Sequence, residues 1–177
     1  MPIALVNQIL SLVTIAAQAG LVLGILYVWL GPKTNNLVIS QIGRHGLAIG
    51  FVVGLSAMLL SLYYSEIVGF PPCILCWYQR IFMYPQVFLL GLALVKKERV
   101  IIDYALLLLL VGAAFALYHN YIYYGGASIL PCDAYGLGES CTQVFVKEFG
   151  YVTIPLMSLT AFLALGGLLI WQKIYDR

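Results

Sequence analysis

Charge is what this sequence has least of. Only 9% of its 177 residues are charged while 63% are hydrophobic, against about 25% and about 45–50% in ordinary soluble domains. That scarcity excludes a soluble globular fold. Also missing are internal repeats, a linker or low-complexity stretch that would mark a second domain, and any apolar segment alternating with period two. Without that alternation a closed barrel is excluded, and helices must satisfy the backbone polar groups inside a bilayer. With a net charge of +2, the expected surroundings are a lipid bilayer, and nucleic acid is not an expected partner.

What is present is a series of apolar segments long enough to cross about 30 Å of hydrocarbon. They run from Gln8 to Leu30, Leu47 to Tyr64, Trp77 to Val95, Val100 to Tyr118 and Phe149 to Trp171. The expectation is an all-α membrane protein with five spans. Lys33, Arg44, Lys96, Lys97, Arg99, Lys173 and Arg177 fall on one side, and only Arg80 and Lys147 on the other. The positive-inside rule places the first group in the cytoplasm, the N-terminus outside and the C-terminus inside. The first segment has the position of a signal peptide, but it lacks a basic leader and its apolar stretch is too long; a retained helix is expected. Many of the 13 tyrosines lie near span boundaries, as in an interfacial belt or as the lining of a pocket for a flat lipophilic ligand.

Four cysteines carry the chemistry: Cys73 and Cys76 in PPCILCWYQR, Cys132 and Cys141 in PCDAYGLGESC. The topology puts all four at or beyond the outer face, where disulfides persist, and two sequence-local pairs suggest two bridges. Pro71 and Pro72 stop the preceding segment, so Cys73 and Cys76 open the third helix, where free N–H groups and the helix dipole favour a thiolate. Arg80 lies four residues after Cys76 on the same helix face. Its guanidinium favours an anionic sulfur or another anion near the edge of the low-dielectric layer. His119 ends the fourth span at similar depth, where an ionisable group is a functional candidate. The Cys132–Cys141 loop reads either as a staple or as an exposed disulfide open to exchange with an external thiol. A Cys₄ zinc site is the competing use of such pairs, but the eight-residue spacing and oxidising compartment argue against it, and no metal is expected.

CILCWYQRIFMYP, followed by LYHNYIYYG and by a loop cysteine pair leading into FGYVTIPLMSLTAF, resembles the disulfide bond formation protein B family, most closely its Bacillus-type branch. The resemblance covers roughly His45 to Trp171. It implies a four-helix catalytic bundle over residues 45–177 with an outer loop at 119–148, preceded over residues 1–44 by an extra transmembrane helix and cytoplasmic loop. It further implies a bacterial cell-membrane enzyme that reoxidises a DsbA-like or BdbD-like thioredoxin-fold thiol oxidase and passes electrons to a quinone, ubiquinone or menaquinone. On that likeness Cys76 engages the quinone with Cys73 as its partner, and Arg80 and His119 contact the quinone head group. Cys132 forms the mixed disulfide with the soluble oxidase, and Cys141 resolves it. Two other readings compete. A vitamin K epoxide reductase-like enzyme would carry its loop pair before the Cys-x-x-Cys, the reverse of the order here. A membrane adaptor or transporter fragment would use the cysteines as staples, but the spans lack the buried acids and broken helices that transporters show.

Overall fold

The computed structural model describes residues 3–30, 37–98, 100–127 and 141–175. Five long helices account for most of them: α1 (Ile3–Leu30), α2 (Leu37–Leu62), α3 (Ile74–Lys96), α4 (Val100–Tyr123) and α5 (Ile154–Tyr175). A π-helical turn, Tyr63–Ile67, extends α2. A short antiparallel hairpin, β1 (Lys147–Glu148) with β2 (Val152–Thr153), leads into α5.

Four of the helices are long and apolar enough to cross a membrane; α3 falls short on composition and not on length. The reason lies in where its polar residues point. Gln79 and Gln86 are buried inside the protein, so they lower the hydropathy of α3 without facing lipid. The α3 helix thus keeps its amides on the face turned into the bundle, while Ile81, Phe88 and Val95 lie on its exposed face. Helix ends also differ from the sequence expectation. The fourth helix continues past Tyr118 to Tyr123, placing His119 inside it, and the last helix starts at Ile154 and not at Phe149. Phe149 and Gly150 both have positive φ, 50° and 80°, the conformation of a tight hairpin turn, which holds them out of the helix. Thr153 then caps α5, its Oγ1 accepting from the Leu156 amide at 3.4 Å.

In the bundle α2 neighbours α3 and α5, and α4 neighbours the same two, so these four helices close a ring. Outside that ring α1 packs along α5. Between helices in lipid there is little hydrophobic drive, and association depends on close packing and interhelical hydrogen bonds. Both are visible. Leu90, Leu165, Leu169 and Phe162 fill the centre. Gln86 Nε2 donates from α3 to the Ala105 carbonyl of α4 at 3.3 Å, and Asn120 Nδ2 joins α4 to the Pro155 carbonyl of α5 at 2.9 Å. Lys173 pairs with Asp103 at the end remote from Cys73 and Cys76.

Gly112 sets the closest approach. A Cβ there would lie 2.3 Å from the Phe162 ring and 2.9 Å from Phe82 Cβ, whereas one at Gly166 would meet nothing within 4 Å. Gly112→Ala is expected to destabilise the detergent-solubilised protein by about 1–3 kcal/mol through overpacking. Gly166→Ala should leave the thermal midpoint unchanged or raise it, by up to about 1 kcal/mol of helix propensity. Equal midpoints for the two variants would contradict this packing.

Candidate redox site

Pro71 and Pro72 precede the cysteine motif, and Cys73 is the N-cap of α3, in extended conformation with φ −69° and ψ 169°. Its carbonyl accepts the first helical bond, from the Trp77 amide at 3.1 Å. Cys76 follows inside the first turn, bringing the two Sγ atoms to 2.9 Å. Both are free thiols. The expectation of a second bridge is thus not met in this state, in which the Cys-x-x-Cys is a dithiol. Cys141 is disulfide-bonded, and Cys132 lies outside the described residues.

His119 stands against Cys73. Gln79 Nε2 donates to its Nδ1 at 2.9 Å, and its Nε2 donates to the Cys141 carbonyl at 3.1 Å and lies 3.8 Å from Cys73 Sγ. The carbonyl can only accept, so Nε2 carries the proton. One ring therefore ties the loop cysteine's backbone to the helix cysteine's sulfur. Gln79 had no separate signal in the sequence beyond lying next to Arg80, and only the structure shows it steering His119.

Arg80 points elsewhere. Its Nε donates to Ser61 Oγ and its Nη2 to the Ser61 carbonyl, both at 3.0 Å, and its guanidinium carbon lies 5.3 Å from the Trp77 ring centre. Tyr84 OH donates to the same Ser61 Oγ at 3.3 Å. Glu66 accepts from Ser65 Oγ. Among the described residues no carboxylate pairs with Arg80, so its charge is held by neutral acceptors.

Two cavities flank the dithiol. The smaller, about 40 Å³, is lined by Cys73, His119, Tyr123 and Cys141. The larger, about 410 Å³, is lined by Cys76, Gln79, Arg80, Ser61 and Tyr84, and beyond them by apolar residues of α1, α2 and α5. Phe145 and Ile154 line both and separate them. Each sulfur of one Cys-x-x-Cys therefore serves a different chamber. Of the residues singled out in the sequence, Cys73, His119 and Cys141 meet at the small one, and Cys76 and Arg80 at the large one. Arg80 and His119 line different cavities, with Gln79, bonded to His119, on the Arg80 side. Tyr64 is the boundary tyrosine that enters the large cavity, where it stacks on Phe70 with ring centres 5.8 Å apart, and Phe70 stacks on Phe145 at 4.6 Å.

A metal could find ligands here, since Cys73 Sγ, Cys76 Sγ and one His119 nitrogen lie within 4.8 Å of one another. Oxidation of the pair to a disulfide would remove both thiolates from such a set. The larger cavity suits a flat lipophilic ligand. Its volume lies within the usual range of about 300–1,000 Å³, and a few polar groups converge at one end of apolar walls.

A multi-pass helical bundle with a buried dithiol between two chambers defines a membrane protein of thiol–disulfide chemistry. The family model for disulfide bond formation protein DsbB matches residues 43–172, and the chain belongs to that family. It is 46% identical over 110 residues to a probable disulfide formation protein C 1 of Bacillus anthracis, an alignment covering 62% of this chain and 78% of that protein. To the disulfide bond formation protein C of Bacillus subtilis it is 42% identical over 120 residues, 66% of this chain and 84% of that protein. A probable disulfide formation protein C 2 of Bacillus anthracis is 36% identical over 133 residues, covering 75% and 94%. No solved structure matches the chain. Family membership makes this a multi-pass membrane oxidoreductase with a role in disulfide bond formation.

Cys73 precedes the membrane-spanning part of α3, and its thiol is pulled down to about 4, mainly because Cys76 donates a hydrogen bond to it; burial opposes this and His119 adds to the lowering. An ordinary cysteine titrates near 8.5. In the reduced protein one thiolate should therefore persist from neutral pH down to about pH 4–5, measured by ultraviolet thiolate absorbance against a Cys73→Ser blank. Cys76→Ala removes the donor and should move the midpoint upward, while Cys76→Ser retains an O–H donor and should move it less. A native midpoint near 8.5 would contradict the geometry.

Proposed function

We propose that this protein is a membrane thiol:quinone oxidoreductase that reoxidises an extracytoplasmic DsbA-like thioredoxin-fold oxidase. The observation that carries this reading is the division of the dithiol between two cavities, Cys73 beside Cys141 and Cys76 beside Arg80. The cysteine end of the bundle faces the extracytoplasmic side, with Lys96, Lys97 and Lys173 at the cytoplasmic end, as positive-inside sorting requires. The catalytic bundle takes in residues 45–177 together with the start of α2 from Leu37, and the added helix before it is α1.

The sulfur chemistry runs inward. A thiolate of the reduced partner attacks Cys132 of a Cys132–Cys141 disulfide, forming a mixed disulfide and releasing Cys141. The partner's second thiol then displaces Cys132, so the partner leaves oxidised and the loop pair holds two electrons as a dithiol. Cys141 next attacks Cys73 of an oxidised Cys73–Cys76 pair across the small cavity; the Cys73–Cys76 bond breaks and Cys76 leaves as a thiolate. Cys132 closes on Cys141 to restore the loop disulfide and free Cys73. The resulting state has a loop disulfide and an inner dithiol. Cys73 and Cys76 close again to a disulfide, and a quinone held in the larger cavity would take up the two electrons and two protons that this releases. There Arg80, fixed by Ser61, holds positive charge beside the Cys76 chamber, where it favours an anionic sulfur and an electron-rich oxygen. His119 holds the Cys141 backbone in register with Cys73 and is a positioning residue.

Reconstitution with a quinone and a reduced thioredoxin-fold partner tests the route through quinone loss. Cys76→Ser and Cys132→Ser should abolish turnover. Arg80→Ala should lower the rate at limiting quinone by about tenfold or more, the scale of a lost charge-assisted contact. Native-rate quinone reduction by Cys76→Ser would overturn the assignment.

A further inference from the structure

Helix α1 lies before the family-matched residues 43–172, yet it lines the larger cavity. Leu10, Val13, Thr14 and Ala17 face it, a spacing that places all four on one helix face. Opposite stand Val52, Val53, Ser56, Ala57 and Leu60 of α2. Among the described residues α1 packs chiefly on α5, and the cavity forms a slot between α1 and α2.

Polar bonds hold that slot open. Tyr64 OH, at the cysteine end, donates to Asn7 Oδ1 at 2.7 Å; Gln18 Nε2 donates to Thr160 Oγ1 on α5 at 3.1 Å, and Tyr151 OH donates to Gln18 Oε1 at 3.1 Å. In an apolar medium such bonds fix register. They pin α1 to the end of α2, to α5 and to the hairpin, and leave the gap to α2 unfilled by side chains.

Chemically the slot is graded. At the cysteine end it carries Ser61, Gln79, Arg80 and Tyr84, and the rest of its lining has no charged or amide side chain: aliphatic residues such as Ala17, Val52, Ala57 and Ala164, with the small hydroxyl residues Thr14, Ser56, Ser158 and Thr160 among them. From Ile154 to Ala164, both lining it, α5 rises about 15 Å. The polar end takes a polar head and the remainder takes a chain.

We propose that α1 is the outer wall of the acceptor site and that the isoprenoid tail of the quinone lies between α1 and α2. This rests on the quinone reading above and adds to it a residue set, Val13, Thr14 and Ala17, that selects for tail. A phospholipid acyl chain is the competing occupant, and the test separates the two.

The full chain is placed in lipid nanodiscs and assayed with a long-tailed quinone and with a tail-less analogue. Thr14→Leu and Ala17→Leu fill the slot and should raise KM for the long-tailed quinone about tenfold or more, with KM for the tail-less one unchanged. Leu12→Ala, on the exposed face of α1, should alter neither. Independently of turnover, a quinone with a photoreactive group in its tail should label the α1 peptide, and excess unlabelled long-tailed quinone should remove that label. Equal KM changes for both quinones would place the effect at the head group or the fold and overturn the tail assignment. Labelling of α1 by a photoreactive phospholipid that excess quinone does not displace would give the slot to lipid. A native chain that reduces neither quinone would sink the acceptor reading itself, an outcome distinct from unaltered KM values in the Thr14 and Ala17 variants.

Discussion

The structure depends on where a Cys-x-x-Cys falls on a helix. With Cys73 at the N-cap and Cys76 in the first turn, the two sulfurs are 2.9 Å apart yet open toward different chambers. Every other site residue is arranged by that division. His119 and Gln79 organise the Cys73 side, where a loop cysteine arrives, and Arg80, Ser61 and Tyr84 organise the Cys76 side, where the cavity opens into apolar surroundings. On the proposed route electrons would cross from one chamber to the other through this pair, since both sulfurs belong to one turn of α3.

Holding α3 in place is a problem particular to lipid. Its buried Gln79 and Gln86 would be costly without partners, and each bonds a neighbour: Gln79 reaches His119, and Gln86 reaches the Ala105 carbonyl, both on α4. Arg80 turns the other way, to Ser61 on α2. These polar contacts fix the rotation of α3 between its neighbours, which apolar packing alone specifies poorly in a bilayer. The residues that make α3 the least apolar helix are thus the ones that aim its cysteines.

Much of this was legible in the sequence, for physical reasons that can be named. Long apolar runs announce helices, and Pro71–Pro72 ahead of Cys73 announces a helix start. Arg80 four residues beyond Cys76 announces a shared face. Less legible was anything set by contact across the bundle. From sequence alone His119 ends its helix and, by resemblance, shares a head group with Arg80; in the structure it lies a turn inside α4 and faces Cys73 and Cys141, because Gln79 and the Cys141 carbonyl fix its ring. Ser61 is one serine among several in an apolar segment, and nothing local marks it as the acceptor for Arg80. Helix α1 read as an addition to the core, since the lining role of Leu10, Val13, Thr14 and Ala17 exists only once α5 carries them opposite α2. The start of α5 was misplaced because the turn at Phe149 and Gly150 is apolar enough to pass for membrane span.

The central claim is that the small cavity is the passage between the loop pair and the helix pair, with Cys73 and Cys141 as the sulfurs that meet. Disulfide mapping of a Cys76→Ser, Cys132→Ser double variant measures it most directly, because only Cys73 and Cys141 remain. After mild oxidation in membranes, a Cys73–Cys141 disulfide within one chain should account for most of the protein by mass spectrometry of its peptides. Two free thiols, or a disulfide only between chains, would contradict the account.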